Sequence, residues 1–366
     1  MRKTEAIWIE NRNRWQINVQ DDGERRTFID STPGKKGKIA CEKKADKWLD
    51  DKLVDENVRT EIMLDKWFQR IKRTTSFGYY NQYEKYIRIW IKPVIGTKRI
   101  GRLSQQDLQD VIDKAYDSGK LAGKTLSNIR GCLATFIKYC RDSKATKFHP
   151  EALSIPNGAR KSHKKVATVQ DVVALFTKST TTKYGKEIED IYIHAYRFMV
   201  LTGMRPGERT ALKPECIKGT KVTISESIND EGALTNGKNE NAQRTYTIDY
   251  HAVKVLADQV AMLNKMGWIS AYVFPDYDRG FIPQDKFRKA WKRYCASNGI
   301  TGAPTPYELR HTWVSINKKM PDGLKKLVAG HAKDMDTEGT YGHEMEGDME
   351  EAAVYIGEAF KKILGW

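Results

Sequence analysis

The stretch LTGMRPGERTAL, residues 201 to 212, carries a stop signal for one helix and a start signal for the next. Gly203 is typical of the residue that follows a helix, and Pro206 is typical of the first residue inside one. Arg205 is therefore predicted on a tight turn beside the N–H groups of the second helix, where anions bind. An arginine in such a turn is usually a surface residue, so the stretch alone predicts two joined helices.

A second stretch, TPYELRHTWVS at residues 305 to 315, also reads as the start of a helix. Thr305 and Pro306 open the helix, and its first turns carry Tyr307, Arg310 and His311. Taken by itself, this arrangement is as ordinary as the first.

Two further stretches add a lysine, a histidine and a tyrosine. In LTNGKNENAQRTYTI, residues 234 to 248, Lys238 is predicted at or near the tip of a hairpin loop, where a lysine is normally solvated. In GHAKDMDTEGTYGH, residues 330 to 343, His331 directly follows a glycine helix stop and Tyr341 comes ten residues later.

Together these side chains form a coherent set for transferring a phosphodiester to a tyrosine. Arg205 and Arg310 are suited to bind the nonbridging oxygens and to stabilise the added charge of the transition state. Lys238 is suited to protonate the leaving 5′ oxygen, and His331 to hydrogen-bond the phosphate. The phenol oxygen of Tyr341 is the candidate nucleophile. The hypothesis requires no metal and no cofactor, because the guanidinium groups supply the charge.

The charge of the chain points to a polyanionic partner. A net charge of +16 and a pI near 9.4 attract nucleic acid, although surface lysines also serve solubility alone. Residues 332 to 360 depart from this trend with nine acids and one base. Five cysteines without a CxxC pair predict reduced thiols in a cytosol. No apolar run approaches the roughly 18 residues that span a bilayer, and the N-terminus lacks the apolar core of a signal peptide.

The first fifty residues predict a small β-sheet and a helix. Residues 1 to 55 alternate apolar and polar positions around a turn signal at Asp22 and Gly23, and then continue at helical spacing. The helix should cover one face of the sheet, which leaves the other face free for DNA phosphates. The basic residues expected there are Arg12, Arg14, Arg25 and Arg26. A basic hairpin packed on the rest of the protein explains the pattern equally well.

The rest of the chain predicts two helical regions and a linker. Residues 60 to 148 contain four amphipathic segments, in which interleaved aromatic and basic residues fit either a core or a DNA backbone contact. Residues 149 to 166 are rich in Pro, Gly, Ser and positive charge, which predicts a basic linker that either follows phosphates or is simply solvated. Its candidate DNA-binding residues are Lys161, Lys164 and Lys165. Residues 167 to 366 predict a mostly helical domain with one small antiparallel sheet. Within them, the stretch from Lys186 to Gly203 has helical spacing and predicts one helix.

The motifs TGMRPGE, GKNENAQRTYTI, ELRHTWVS, and GH followed by TYGH resemble the motif boxes of the tyrosine recombinases, the phage integrase family. Their order of Arg, Lys, Arg, His and Tyr also matches. The resemblance assigns the catalytic set to Arg205, Lys238, Arg310, His331 and Tyr341. It also matches Glu208 to the family's supporting acid.

The resemblance extends to the other domains. It implies a multidomain, mainly α fold with an arm-type DNA-binding domain at residues 1–55, a four-helix core-binding domain at 60–148 and a catalytic domain at 167–366. The N-terminal sheet and helix are similar to the arm-binding domain of integrases from conjugative transposons and temperate phages.

One position departs from the family pattern. Tyr307 stands where the family usually has a histidine, three residues before Arg310. A phenol can donate a hydrogen bond to phosphate but is a poor base, since its pKa is about 10. Either Tyr307 only hydrogen-bonds, or His311 approaches from the next turn, or the step is slow. Lys221 is a less favoured substitute for Lys238.

The resemblance implies integration and excision of a mobile element by a tetramer on double-stranded DNA, through a Holliday junction. Core and arm-type sites, an excisionase, a host DNA-bending protein and a location at the bacterial nucleoid belong to the same expectation. A type IB topoisomerase is one alternative, which the separate N-terminal module disfavours. A non-enzymatic DNA-binding regulator is the other, and Tyr307 is its support.

The acidic segment around Tyr341 has two interpretations. It could regulate by packing on a basic patch of a neighbouring protomer, or its acids could simply favour the start of a C-terminal helix through the helix dipole.

Overall fold

Two units, Met1–Ser162 and His163–Trp366, make up the chain. The computed structural model describes residues 4–21, 24–50, 57–161, 164–236, 243–302, 305–330 and 345–365. The boundary between the units falls inside the segment predicted as a linker.

A three-stranded antiparallel sheet covered by one helix opens the first unit, as predicted. The strands are β1 (Ile7–Ile9), β2 (Arg14–Asp21) and β3 (Glu24–Asp30), in that spatial order, and the helix is α1 (Gly34–Asp50). Ile17 and Val19 of β2 are buried with Cys41 and Ala45 of α1. Since side chains alternate along a strand, this core fixes which face of the sheet stays open.

Helices make up the rest of the first unit and bury a separate core. Their apolar positions recur at helical spacing, and Ser104 caps one of them in a capping box with Asp107. The elements are α2 (Thr60–Thr74), α3 (Phe77–Tyr86), which continues through a π-helical turn (Ile87–Ile91) into α4 (Lys92–Ile95), α5 (Gln105–Asp117) and α6 (Gly123–Asp142).

The predicted linker is packed over most of its length. The Gln105 side chain exchanges hydrogen bonds with the backbone of Glu151, and Gln109 does the same with Ser154. Leu153 is buried in the helical core between these two points. Residues 149–160 are thus held to the helical domain, because glutamine side chains of α5 hydrogen-bond their backbone groups. The polar composition of this segment had predicted that water would do so.

Short sheets and helices alternate in the second unit. The helix α7 begins after Thr168, whose side chain caps it in a capping box with Asp171. The described strands of this unit form three antiparallel sheets: a three-stranded sheet in the order β6–β7–β10, and the two-stranded sheets β4–β5 and β8–β9. The strands are β4 (Thr180–Lys183), β5 (Lys186–Glu189), β6 (Ile217–Lys218), β7 (Lys221–Ile224), β8 (Ser227–Ile228), β9 (Leu234–Thr235) and β10 (Arg244–Thr247). The helices are α7 (Val169–Thr177), α8 (Ile193–Thr202), α9 (Pro206–Ala211), α10 (Tyr250–Met266), α11 (Gln284–Asn298), α12 (Tyr307–Ile316), α13 (Asp322–Ala329) and α14 (Asp348–Leu364).

The sheet content of this unit exceeds the one small sheet predicted. The helix predicted from Lys186 to Gly203 begins only at Ile193, and residues 186–189 pair with β4 as a hairpin. Tyr184 and Gly185 form its turn with positive φ angles of 51° and 74°. Gly supplies that conformation without strain, so a tight turn separates two strands where the apolar pattern favoured a helix.

The C-terminal helix α14 packs within its own chain. Met349, Ala352, Ile356 and Phe360 are buried in the core that α7, α8, α10 and α13 also form. Its first turn carries Asp348, Glu350 and Glu351, where a helix dipole favours negative charge. This arrangement supports the helix-start interpretation of the acidic segment. Among the described residues, no helix is long and apolar enough to cross a membrane.

Arg209 of α9 is fully buried without a hydrogen-bond acceptor in the described part of the chain. Its Cζ lies 3.7 Å from the ring centroid of Phe287, a cation–π contact. Burial lowers the pKa of Arg209 to about 9, so the side chain is still cationic at neutral pH. Arg197 of α8, nearly as buried, instead donates to the carbonyls of Leu175 and Lys178.

We predict that Arg209→Met raises the free energy of unfolding of the second unit by ~1–3 kcal/mol, because it removes a buried cation whose nitrogens have no hydrogen-bond acceptor among the described residues. The matched variant Arg197→Met should lower it by ~1–3 kcal/mol, because the buried carbonyl of Leu175 and the partly buried carbonyl of Lys178 lose their donor. Native-state hydrogen exchange of amides in α8 and α11 measures both. Equal losses in the two variants would show that ordered water already satisfies Arg209.

Candidate active site

The turn between α8 and α9 brings the predicted first arginine beside α12. Gly203 ends α8 in the left-handed conformation with φ of 64°. A Cβ at this position would lie 2.6 Å from the ring of Trp313 on α12. Two features therefore require glycine at position 203: the left-handed turn and the close approach of α12.

Arg310 of α12 reaches back to that turn. Its two terminal nitrogens donate to the carbonyl oxygens of Gly203 at 2.8 Å and Ala329 at 2.7 Å. Burial, assisted by the positive charge of Arg205, lowers the pKa of Arg310 to about 10. The side chain remains a cation at neutral pH, so it is suited to bind an anion.

Arg205 is held by Glu208 and by the end of α13. One terminal nitrogen donates to Oε1 of Glu208 at 2.7 Å, and the other donates to the carbonyl of Gly330 at 2.7 Å. The backbone N–H of Arg205 donates to Oε2 of the same carboxylate at 2.9 Å. Glu208, which was predicted as a supporting acid, thus contacts Arg205 directly.

A third arginine, which the sequence did not suggest, completes this group. Arg244 at the start of β10 donates through Nη1 and Nη2 to the two oxygens of Glu208, at 3.1 and 3.0 Å, and through Nε to the carbonyl of Val328 at 2.8 Å. Its only sequence signal was its place in GKNENAQRTYTI, shortly after Lys238. Burial by itself raises the pKa of Glu208, but the bonds and charge of Arg244 and Arg205 outweigh it, so the pKa is lowered.

The three arginines meet the C-terminal end of α13. The last carbonyls of a helix lack partners within the helix and carry partial negative charge. Here the N–H of Gly330 bonds back to Lys326 and Leu327. The next three carbonyls, at residues 328, 329 and 330, each accept from a different arginine. The end of α13 thus fixes the spacing of the guanidinium groups.

Tyr307 and His311 lie on one face of α12, one turn apart. Their ring centroids are 5.2 Å apart in an edge-on arrangement, and Tyr307 is 45% exposed. Burial lowers the pKa of His311, and the positive charge of Lys164 lowers it further. His311 therefore keeps its neutral, proton-accepting form below its ordinary pKa of 6.5.

The other predicted catalytic residues, Lys238, His331 and Tyr341, lie outside the described residues. The substitute Lys221 is at the start of β7 and lies 3.5 Å from the carboxylate of Glu350.

The N-terminal sheet separates the arginines that were predicted to share its open face. Arg25 is paired with Gln20, on the face opposite Ile17 and Val19. Arg26 is paired with Val19 itself, so its exposed side chain lies on the same face as α1 and not on the open face, which corrects the prediction. The reason is the two-residue period of strands, which puts neighbours on opposite faces.

The remaining basic candidates are partly or fully exposed. Arg14 extends over the open face and donates to Gln16 at 3.1 Å, whereas Arg12 lies in the turn before β2. The three lysines of the predicted linker are exposed: Lys161, Lys164 and Lys165.

Two family models match the sequence. The phage integrase family model matches residues 165–347, and the model of the phage integrase N-terminal SAM-like domain matches residues 61–116. The first match covers half of the chain and contains the arginine site. The protein therefore belongs to the phage integrase family. It is accordingly a tyrosine-type site-specific recombinase.

Solved structures share the fold at low sequence identity. One is the integrase of transposon Tn1549 (residues 82–397, Y379F) with transposon right end DNA, at 15% identity and a TM-score of 0.62, covering 84% of this chain and 100% of that one. Another is a lambda integrase dimer on a COC′ core site, at 13% identity and a TM-score of 0.59, covering 93% and 97%. A lambda integrase tetramer on a Holliday junction has 14% identity and a TM-score of 0.57, covering 93% and 96%. No curated protein matches the sequence.

Proposed function

We propose that the protein integrates and excises a mobile DNA element, by cleaving DNA through a 3′-phosphotyrosyl bond to Tyr341. The observation that carries this proposal is the pair of arginines, Arg205 and Arg310, held together at the end of α13. Adjacent carbonyls set the separation of their guanidinium groups, and donors fixed in this way can stabilise developing negative charge at little cost in reorganisation. A recombinase needs such a site to stabilise charge on phosphorus.

The proposed cleavage step transfers two protons, one from the attacking tyrosine to a base and one from an acid to the leaving oxygen. The phenol oxygen of Tyr341 attacks phosphorus and gives its proton to a base. The bond from phosphorus to the 5′ oxygen breaks, and that oxygen takes a proton from Lys238. Arg205, Arg310 and His331 stabilise the pentacoordinate state. Attack of a 5′ hydroxyl from the partner duplex reverses the step and rejoins the strands.

His311 is the base we propose in place of the family's usual histidine. Tyr307 stands at that position, but a phenol holds its proton at neutral pH. The imidazole of His311 lies one turn away in contact with the Tyr307 ring, and its lowered pKa keeps it neutral. Tyr307 then contributes a hydrogen bond to the phosphate.

The proposal extends to DNA and to assembly. Strand exchange requires paired cleavages on two duplexes, which implies a homotetramer on double-stranded DNA and a Holliday junction. The first unit would bind arm-type sites through its sheet and core sites through its helices, inside the bacterial cytoplasm at the nucleoid. An excisionase and a host DNA-bending protein are the further partners that this arrangement commonly uses.

A non-enzymatic regulator is the second candidate, because Tyr307 replaces the usual histidine. The placement of Arg205, Glu208 and Arg310 favours the enzyme, since a DNA-binding module has no need of buried arginines around one carboxylate. A type IB topoisomerase would relax supercoiled DNA as a monomer, without preference for an attachment site.

The first of three predictions on DNA cleavage and binding concerns the nucleophile. On a nicked attachment-site duplex, without added metal, the parent chain should form a covalent DNA adduct, and Tyr341→Phe should form none, because phenylalanine lacks the attacking oxygen. A denaturing gel measures the adduct. Tyr250→Phe, which alters an exposed tyrosine on α10, is the matched control and should keep the adduct.

The other outcomes separate the candidates. DNA binding without an adduct from any of the three proteins would favour the regulator. An adduct on unrelated duplexes, accompanied by relaxation of a supercoiled plasmid, would favour the topoisomerase.

The second prediction concerns His311. His311→Asn should slow adduct formation by ~10²–10⁴-fold, because the step loses its general base. The parent rate should fall as the pH drops through the lowered pKa of His311, below 6.5, and this acidic limb should vanish in the variant. Single-turnover rates across pH measure both.

Restoring the family's histidine is the control. Tyr307→His in the His311→Asn background should recover much of the rate, whereas Tyr307→Phe alone should cost only about tenfold, the loss of one hydrogen bond. An unchanged acidic limb in His311→Asn would assign the base elsewhere.

The third prediction concerns the N-terminal sheet. Arg25→Ala should weaken binding to an arm-type duplex by ~10–100-fold, because Arg25 lies on the open face. Arg26→Ala, on the same face as α1, is the matched control and should change affinity less. Mobility-shift titration of the full chain measures both, and equal losses would contradict binding through the open face.

A further inference from the structure

Arg244 is the most extensively bonded of the three arginines. Its side chain is 7% exposed, and its three nitrogens contact Glu208 twice and Val328 once. Each of its three side-chain nitrogens donates to a protein acceptor, whereas Arg310 uses its two terminal nitrogens in this way within the described part of the chain. Arg244 is therefore placed to act on its protein neighbours.

Glu208 depends on Arg244 for half of its hydrogen bonds. A carboxylate offers about four lone-pair sites. Arg205 fills one site on each oxygen, through Nη1 and its backbone N–H, and Arg244 fills one on each through Nη1 and Nη2. Without Arg244, a carboxylate that is 2% exposed would face a single cation. It would then draw Arg205 closer or admit water, and either change moves Arg205.

Val328 ties the same residue to the other side of the site. Arg244 holds the carbonyl of Val328 at 2.8 Å, one residue before the carbonyl that holds Arg310 and two before the one that holds Arg205. The three contacts share one helix end, so a shift of α13 changes the spacing of both phosphate-binding arginines.

The position of Arg244 in the chain adds a second connection. It is the first residue of β10, six residues after Lys238. β10 pairs with β7 through Tyr246 and Val222, both buried in the core. Arg244 therefore links β10, the strand that follows the predicted Lys238 loop, to two other elements. These are α9, which carries Glu208, and the end of α13.

We propose that Arg244 is a positioning residue for cleavage, which holds Glu208 and the end of α13 so that Arg205 and Arg310 keep their spacing. The inference rests on the proposed function. It assigns no contact with DNA to Arg244 itself.

The test compares Arg244→Lys and Arg244→Gln with the parent chain on the nicked attachment-site duplex. Single-turnover adduct formation should slow by ~10²-fold in Arg244→Gln, since a displacement near 1 Å costs about that much. The dissociation constant for the duplex should change less than about threefold, because the phosphate ligands are retained. Arg244→Lys should recover part of the rate, because it keeps the charge but not the fork that spans both oxygens of Glu208.

Glu208→Gln supplies a cycle that separates positioning from general damage. Because Arg244 acts partly through Glu208, adding Arg244→Gln to Glu208→Gln should slow the reaction further by clearly less than the ~10²-fold expected in the parent, since only the contact with Val328 remains to be lost. Arg197→Gln is the matched control, a buried arginine bonded to carbonyls away from the site, and should lower stability with the rate unchanged.

Two outcomes overturn the inference: a full rate in Arg244→Gln, or losses that multiply in the double variant. Both require that the parent forms its adduct. A parent that forms none contradicts the proposed function instead, so the two failures are distinguishable.

Discussion

One buried carboxylate, that of Glu208, organises the catalytic unit. Removing a carboxylate from water costs several kcal/mol, and only well-placed cations with hydrogen bonds repay this. Arg205 and Arg244 meet that condition from α9 and β10, and their remaining bonds reach the end of α13. Arg310 joins from α12 through the neighbouring carbonyl. Three distant parts of the sequence, α9, β10 and the consecutive helices α12 and α13, are thereby held around one charge.

Much of the fold could be predicted because its signals are local. Thr168 with Asp171, and Gly203 at the end of α8, are cap residues whose effect depends on a few neighbours in the chain. The core of the N-terminal sheet followed from alternation. The hairpin of residues 180–189 could not be predicted in the same way, because its strands compete with a helical pattern and the turn at Tyr184 and Gly185 decides the outcome.

The site was predictable only in part, for a related reason. Arg205 and Arg310 stand in motifs with helix signals beside them, and the structure brings them to one helix end. Arg244 lies in a polar stretch where an arginine is unremarkable, and its importance comes entirely from Glu208 and Val328, which are distant in sequence. The packed linker was missed likewise, since its partners are glutamines on another helix.

The balance of charge around Glu208 has a consequence for selectivity between reaction states. Three guanidinium groups and one carboxylate leave the described cluster with an excess of two positive charges, and the lowered pKa of Arg310 records part of that repulsion. A phosphodiester brings one negative charge, whereas the pentacoordinate state brings two. If Arg205 and Arg310 bind the phosphate as proposed, these four side chains keep a net positive charge around the bound ground state and balance the second negative charge of the pentacoordinate state better. In the proposed reaction the cluster would therefore stabilise the five-coordinate state more than the bound substrate, which is the difference that accelerates a reaction.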